Sequence, residues 1–379
     1  MEIEQRKFSY DRGWETIRSA GINAESYKLV LAFGSTKILG NPDTYDSMKA
    51  MYFNADILMC STAGEIIDTQ VNDHTVSLIA IRFDKIKIKT AFTTIDNEKD
   101  SFDAGHRIAA ALDGNDLKNI LVISDGQKVN GSDLVLGLHD FLPNNIIVTG
   151  GLAGDGNRFK TTLVGLNEYP VEGRIAAIGF YGSNFSVSYG SVGGWDPFGV
   201  ERLITKSMGN VLYELDGKPA LDIYKLYLGE YANELPGSGL LFPLSLRLSE
   251  SDHPLVRTIL SVNEADKSLT FAGNMPEGAY TQLMKANLDR LIEGASDAAQ
   301  NSIQNILKKP DLAILISCVG RKLVLDQRIE EEVEMIRAIY GEQTAITGFY
   351  SYGEIAPSLY SMKCELHNQT MTITTITEE

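Results

Sequence analysis

Three acidic residues each follow a glycine at the end of an apolar run: Glu65 in STAGE, Asp155 in GLAGD and Glu354 in YSYGE. A glycine beside a carboxylate lets the backbone come close to a ligand, and carboxylates suit an ammonium group through charge-assisted hydrogen bonds. The same residues could equally cap a helix start or close a tight turn. Cys318 lies in SCVGRK beside Arg321, where a neighbouring cation would lower the thiol pKa and favour reactivity; a buried, inert cysteine is the alternative. Cys364 and His367 share the short segment CELHNQT, so two metal-capable side chains stand where the last strand begins. One His or Cys in an open pocket is enough to bind haem iron axially. Without a C-x-x-C-H motif, such a haem would be held noncovalently.

Other enzyme signatures are absent: no G-x-x-x-x-G-K-[ST], no H-E-x-x-H, no C-x-x-C and no G-x-S-x-G. GGLAGDG (150–156) is glycine-rich but does not match G-x-G-x-x-G. His74, His106, His139, His253 and His367 show no metal-ligand spacing, which argues against a structural zinc. The turn Gly193-Gly194-Trp195-Asp196-Pro197-Phe198 reads as a core-closing loop or a pocket wall. No nucleophile–base pair can be read from the sequence, and a binding role is expected over catalysis.

The elements that must position these residues repeat. KLVLAFGS (28–35), KNILVISDG (118–126) and DLAILISCVG (311–320) read as buried strands. Each is followed by a helical stretch, near 43–54, 131–141 and 327–340. A second strand then ends in the Gly-acid turn, and a third strand follows, at 76–83, 174–182 and 367–376. A serine closes each first strand (Ser35, Ser124, Ser317), and the acid comes 30, 31 and 37 residues later. Strands joined through one helix are usually parallel, and ligands of such sheets bind outside the carboxyl ends. The three Gly-acid turns should therefore gather on one side and rim a polar pocket.

The fold class expected is mixed α/β, with three strand–turn–helix–strand units forming layered sheets. An antiparallel meander (239–273) and one long amphipathic helix (279–307) are inserted before the third unit, after a helix starting at Pro219. The domains expected are an N-terminal extension (1–27), an N-terminal domain (28–205) and a C-terminal domain (206–379).

The chain has 379 residues, 44% hydrophobic, enough for two ordinary domains. A formal charge of −16 would repel a phosphate backbone, so nucleic acid is not an expected partner. No polybasic stretch and no apolar run long enough to span a bilayer point to a membrane. Three sparse cysteines, Cys60, Cys318 and Cys364, form no disulfide framework, and the charged start MEIEQRKFSYDRGW is no signal peptide. A cytoplasmic location is expected, and a homodimer is left open.

Taken together, CSTAGEI (60–66), SDG (124–126), GGLAGDG (150–156), GWDPFG (194–199), ELDGKPALDIY (214–224), SCVGRK (317–322), GFYSYGEI (348–355) and LHNQTMT (366–372) resemble the FIST family of sensory proteins. The resemblance runs from about residue 28 to the end and covers both FIST domains. It implies a ligand-sensing protein without established catalysis. No fused signalling domain is read in the chain, so its output would pass to a separate protein. The chain is similar in layout to a stand-alone bacterial subset, the NosP type, which binds haem, senses nitric oxide and regulates a histidine kinase. That likeness implies haem b with His367 as the axial ligand. Amino acids and other small polar metabolites are the other ligand class the family implies. The ligand-binding residues expected are Glu65, Asp155, Cys318, Arg321, Tyr350, Glu354, Cys364 and His367.

Overall fold

The structure is a computed structural model that describes residues 1–249, 254–304, 308–358 and 363–379. His253 and the end of the expected 279–307 helix (305–307) lie outside the described residues. Helix and strand are mixed throughout, in three six-stranded sheets and one eight-stranded sheet.

Each of the three repeats builds the centre of one six-stranded sheet. In the first, Leu29–Gly34 runs parallel to Asp56–Ser61 and antiparallel to Val76–Arg82. In the second, Leu117–Ser124 runs parallel to Ile147–Leu152 and antiparallel to Arg174–Tyr181. In the third, Leu312–Cys318 runs parallel to Ala345–Ser351 and antiparallel to Met371–Glu378. A strand from earlier in the chain extends the far side each time: Glu2–Ser9, with Gly13–Arg18 outside it at the edge, Lys87–Thr94 and Phe185–Val192. Residues 1–27 therefore supply an edge of the first sheet.

The near edges are exchanged in a closed cycle. Glu65–Ile67 of the first unit pairs with Ala345–Ser351 of the third. Gly353–Pro357 of the third pairs with Ile147–Leu152 of the second, and Val164–Leu166 of the second pairs with Asp56–Ser61 of the first. No unit completes its sheet alone. Unpaired strand edges are a liability, and here each unit covers its neighbour's.

The central strands are apolar on both faces, as strands sandwiched between layers should be. In Leu29–Gly34 the alternate residues Leu29, Leu31 and Phe33 face a core shared with Leu121, Ile123, Ile314, Ile316 and Phe349 of the other two sheets. Val30 and Ala32 face the other way, onto Tyr45, Met48 and Tyr52 near the helix Pro42–Met51. Gly150 crosses its neighbour so closely that an added Cβ would lie 1.8 Å from the Val122 carbonyl oxygen.

A body of antiparallel strands interrupts the third unit. It leaves after Phe185–Val192 and returns at the helix Leu288–Asn301, which packs on the third sheet and on the helix Ile329–Tyr340. Trp195–Met208 is its longest strand, so residue 205, where the domains were expected to divide, lies inside one element. The helix expected from 279 is corrected. Tyr280–Ala286 is a strand with Thr281 and Leu283 buried on alternate positions, and the helix begins only at Leu288. Asn287 marks the change, since its side chain accepts from the Arg290 N–H.

Both ends of this insertion are pinned by Arg321. Its guanidinium donates to the Gly193 carbonyl at the exit and to the Leu291 carbonyl at the return (2.7 Å). The Trp195 indole N–H, donating to the Gln369 carbonyl at 3.0 Å, adds a third tie. The Gly193–Phe198 segment, expected as a turn, is instead a two-residue link, Gly193–Gly194, into the strand Trp195–Met208, whose residues Trp195–Phe198 pair with Leu283–Ala286.

Candidate functional site

Sheet register aligns Gly34, Ser124 and Ser317 at the ends of the first strands, with Ser35 one residue further on. It also aligns Ser61, Leu152 and Tyr350 at the ends of the second. From these three positions the turns meet at one hub. Ala63 N–H donates to Tyr350 C=O (2.8 Å), Tyr352 N–H to Leu152 C=O (3.1 Å) and Gly154 N–H to Ser61 C=O (2.9 Å). The donor is two residues past the aligned position in every case, and the three bonds form a ring.

The acids lie inside this hub, at 1%, 1% and 0% exposure for Glu65, Asp155 and Glu354. Glu65 accepts from the Thr62 hydroxyl (2.6 Å) and from the Thr75 N–H and hydroxyl. Glu354 repeats the pattern with Ser351 (2.6 Å) and the N–H and hydroxyl of Thr370. Asp155 sits one register position earlier and serves its own loop. It accepts from the Lys160 and Thr161 N–H groups and from the Tyr352 hydroxyl. Burial raises the Glu65 carboxyl to about 7 and Glu354 to about 8, against the opposing hydrogen bonds. Each acid ties a Gly-acid turn to the segment that follows it.

Arg321 and Tyr350 belong to a buried cluster around Glu332. Arg321 Nη2 is 2.8 Å from Glu332 Oε2, both side chains being 0% exposed, and the Tyr350 hydroxyl donates to Oε1 at 2.7 Å. Cys318 is buried, which pushes its thiol well up; the effect of Arg321 is far smaller, because that cation is committed to Glu332. The Cys364 thiol is likewise raised by burial and donates to the Val148 carbonyl.

His367 lies in the strand Cys364–His367, directly opposite Glu354. Its Nε2 is 3.0 Å from the Ala356 carbonyl oxygen, so that nitrogen carries the proton. Burial lowers the imidazole to about 4, with Arg257 nearby acting in the same direction. An axial haem ligand needs a ring nitrogen facing an open pocket. Here Nε2 is committed to the backbone and the side chain is buried, so these residues present no open axial position and do not fit a haem. Among the described residues no group of three His, Cys, Asp or Glu is placed to hold a metal ion.

Open space lies elsewhere. A small cleft of about 30 Å³, partly open to solvent, runs between the second unit and the insertion. Gly126, Gln127, Val129 and Asn130 form one wall, and Asn210, Leu260, Phe271 and Ala272 of the insertion form the other. Leu152 and Tyr352 close its inner end, at the hub. Asn130 is fixed by its own role: its Oδ1 accepts from the N–H groups of Ser132 and Asp133 and caps the helix Gly131–Phe141. Asp125 holds the loop before it through the Gln127 and Lys128 N–H groups, both at 2.7 Å. Tyr352 stacks on Phe159 at 4.4 Å, and its hydroxyl accepts from the Asp155 and Phe159 N–H groups.

Two side chains beside this cleft hold buried polar atoms with no partner among the described residues, Asn368 Nδ2 and Thr258 Oγ1. Each such atom costs about 1–3 kcal/mol. Neither residue, nor Gln127, Asn130, Asn210 or Tyr352, was singled out from the sequence. SDG and LHNQTMT were noted as motifs, and Gly126 and Asn368 lie in them.

The repeat body carries an inserted second body, with a cleft between the two. Family models of the FIST N domain and the FIST C domain match residues 28–218 and 220–357, and the chain belongs to the FIST family. FIST domains are sensory domains that bind small ligands and signal to partners. An uncharacterised protein of Methanocaldococcus jannaschii is 28% identical over 169 residues, which cover 40% of this chain and 31% of that protein. The chain thus spans about a third of that relative's length. The crystal structure of cyanuric acid hydrolase from A. caulinodans aligns over 94% of this chain and 92% of its own, at 9% identity and a TM-score of 0.32, too distant to carry an argument. No helix among the described residues is long and apolar enough to cross a membrane.

Proposed function

We propose that this protein is a sensor of small polar metabolites, amino acids among them, that takes its ligand in the cleft between the second unit and the insertion. The supporting observation is that the cleft is lined by three separate parts of the chain: the Gly126–Asn130 loop, the insertion and Tyr352 at the hub. The ligand acts as an extra contact across that junction, and the output goes to a separate signalling protein. No catalytic step is assigned. Cys318 and the hub acids are buried and committed to their neighbours.

The experiment is a melting screen against amino acids and related metabolites. A ligand held at 100 times its Kd adds about 2.7 kcal/mol to the stability of the folded state. A flat screen refutes the reading. An absorption spectrum of protein made in haem-supplied cells tests the competing one, a haem b-based nitric-oxide sensor with His367 as ligand and a histidine kinase as partner. A Soret band that nitric oxide shifts and His367→Ala removes would establish it in place of the polar-ligand reading.

A further inference from the structure

Each unit's sheet is extended by one strand from earlier in the chain, and the outer side of that strand is treated differently each time. In the first sheet Glu2–Ser9 is covered by Gly13–Arg18, which adds to it antiparallel. In the third sheet Phe185–Val192 is the last strand, but none of its eight residues is exposed. The helix Leu288–Asn301 presses on it so closely that a Cβ on Gly190 would lie 1.9 Å from the Ala298 carbonyl oxygen. Lys118 Nζ donates to the Ser183 and Phe185 carbonyls at its start, at 3.1 and 2.8 Å. In the second sheet Lys87–Thr94 pairs with Arg174–Tyr181 on one side and with no strand on the other among the described residues. Lys87, Lys89, Phe92 and Thr94 along it are exposed. The place that Gly13–Arg18 takes in the first sheet has no counterpart in the second.

An open edge offers a row of backbone N–H and C=O groups to another strand. What suits this one follows from its side chains. Alternate residues of a strand share a face, so Lys87 and Lys89, opposite Tyr181 and Gly179, stand together, and Phe92, opposite Ala176, lies on the other face. Neither lysine has an ion-pair or hydrogen-bond partner among the described residues. The nearby Asp84 is already engaged by Arg82 (2.8 Å) and the N-terminal ammonium group (3.1 Å), and Lys85 donates to the Glu379 carbonyl. Phe92 is 51% exposed, and its ring is held beneath the Arg174 guanidinium at 4.6 Å, an arginine itself paired with Glu168. The edge thus presents two uncommitted cations on one face and a fixed aromatic ring on the other. Lysines that only guard an edge against chance pairing have no use for the ring.

We propose that Lys87–Thr94 is a docking edge for an extended acidic segment of a separate protein, which adds as a further strand to the second sheet. On a chain of net charge −16 this short basic edge is a local reversal of sign, and it selects an acidic partner strand. Charge also argues against a second copy as the occupant. Pairing this edge with itself would bring the lysines of both copies into one interface between two bodies of net charge −16. Added antiparallel, as Gly13–Arg18 is to Glu2–Ser9, the segment places an apolar residue opposite Phe92 and acidic residues three and five positions further along, opposite Lys89 and Lys87. The docking edge does not depend on what the cleft binds.

The test uses the full chain and three short fluorescent peptides built from threonine and valine. The first carries that pattern of one phenylalanine and two glutamates. The second has lysines in place of the glutamates, and the third keeps the glutamates but has a central proline, which breaks a strand ladder. Fluorescence anisotropy should show saturable binding of the first peptide, with the other two at least about tenfold weaker. Lys87→Glu combined with Lys89→Glu should melt like wild type, since both side chains are exposed and unpaired, and should reverse the preference, taking the lysine peptide over the acidic one. Phe92→Thr, which keeps a strand-forming residue, should weaken the first peptide about tenfold. No binding of the first peptide, equal binding of the proline peptide, or a double variant that keeps the acidic preference would overturn the proposal. So would a wild-type dimer in sedimentation that Phe92→Thr dissociates, because the occupant would then be a second copy.

Discussion

Replacing Glu354 by glutamine should change how stability depends on pH more than it changes stability itself. The Glu354 carboxyl is fully buried and its pKa is raised by that burial to about 8, against an ordinary value of 4.5. Between those values the native state holds a proton that the unfolded chain has released. Stability is therefore fully present below pH 4.5 and is lost as pH rises through about 8. The interval corresponds to roughly 5 kcal/mol at about 1.4 kcal/mol per unit, with the opposing bonds from Ser351 and Thr370 already included in the raised value. Glu65 contributes in the same direction up to about 7. His367 opposes both, since its lowered pKa of about 4 makes stability rise with pH up to the ordinary value of 6.5. Above pH 6.5 only the carboxyls remain among these three. Urea unfolding of wild type and Glu354→Gln at pH 6.5 and 8.5 separates the effects. The neutral amide can replace the protonated acid, accepting from Thr370 N–H and donating to the Ser351 hydroxyl. The variant should lie within about 1.5 kcal/mol of wild type at pH 6.5 and exceed it at pH 8.5. A variant that loses stability as steeply as wild type over that range refutes the reasoning.

Arg321→Met should cost about 3–5 kcal/mol in denaturant unfolding, because it strands the Glu332 charge in the core and frees both ends of the insertion; adding Glu332→Gln should recover part of the loss. Asn130→Ala should cost about 1 kcal/mol by removing the cap of the helix Gly131–Phe141, read as a lowered urea midpoint. Gly150→Ala should fail to fold or melt far below wild type, since its Cβ would overlap the Val122 carbonyl. Cys318 should resist a mild electrophile at neutral pH until the protein unfolds, as its thiol is buried and raised; rapid stoichiometric labelling of native protein would contradict that.

The repeat was legible because apolar runs, helices and Gly-acid turns recur in one order, and the parallel pairing followed from the helical crossovers. The gathering of the three turns also followed from strand polarity. Their interior was not legible. Whether Glu65 faces a pocket or the Thr75 backbone depends on a partner ten residues away and on a strand of another unit, Ala345–Ser351, that covers it. The exchange of edge strands leaves no local sequence mark, because each short strand pairs with a strand of another unit far away in the chain. Tyr280–Ala286 was read as helix since its apolar residues also fit a helical period, and only its pairing with Trp195–Met208 and Leu244–Arg247 decides otherwise. The cleft was missed for a similar reason. Its walls come from residues 126, 127, 129, 130, 152, 210, 260, 271, 272 and 352, which no motif spacing connects.

The central claim is that the cleft between the second unit and the insertion takes a small polar ligand. Calorimetric titration of wild type and Ala272→Leu with the strongest hit of the melting screen tests it most directly. The account predicts saturable binding to wild type and at least a tenfold loss in the variant, whose larger side chain fills the cleft from the insertion side. Equal affinity in the two proteins would place the ligand elsewhere and contradict the account.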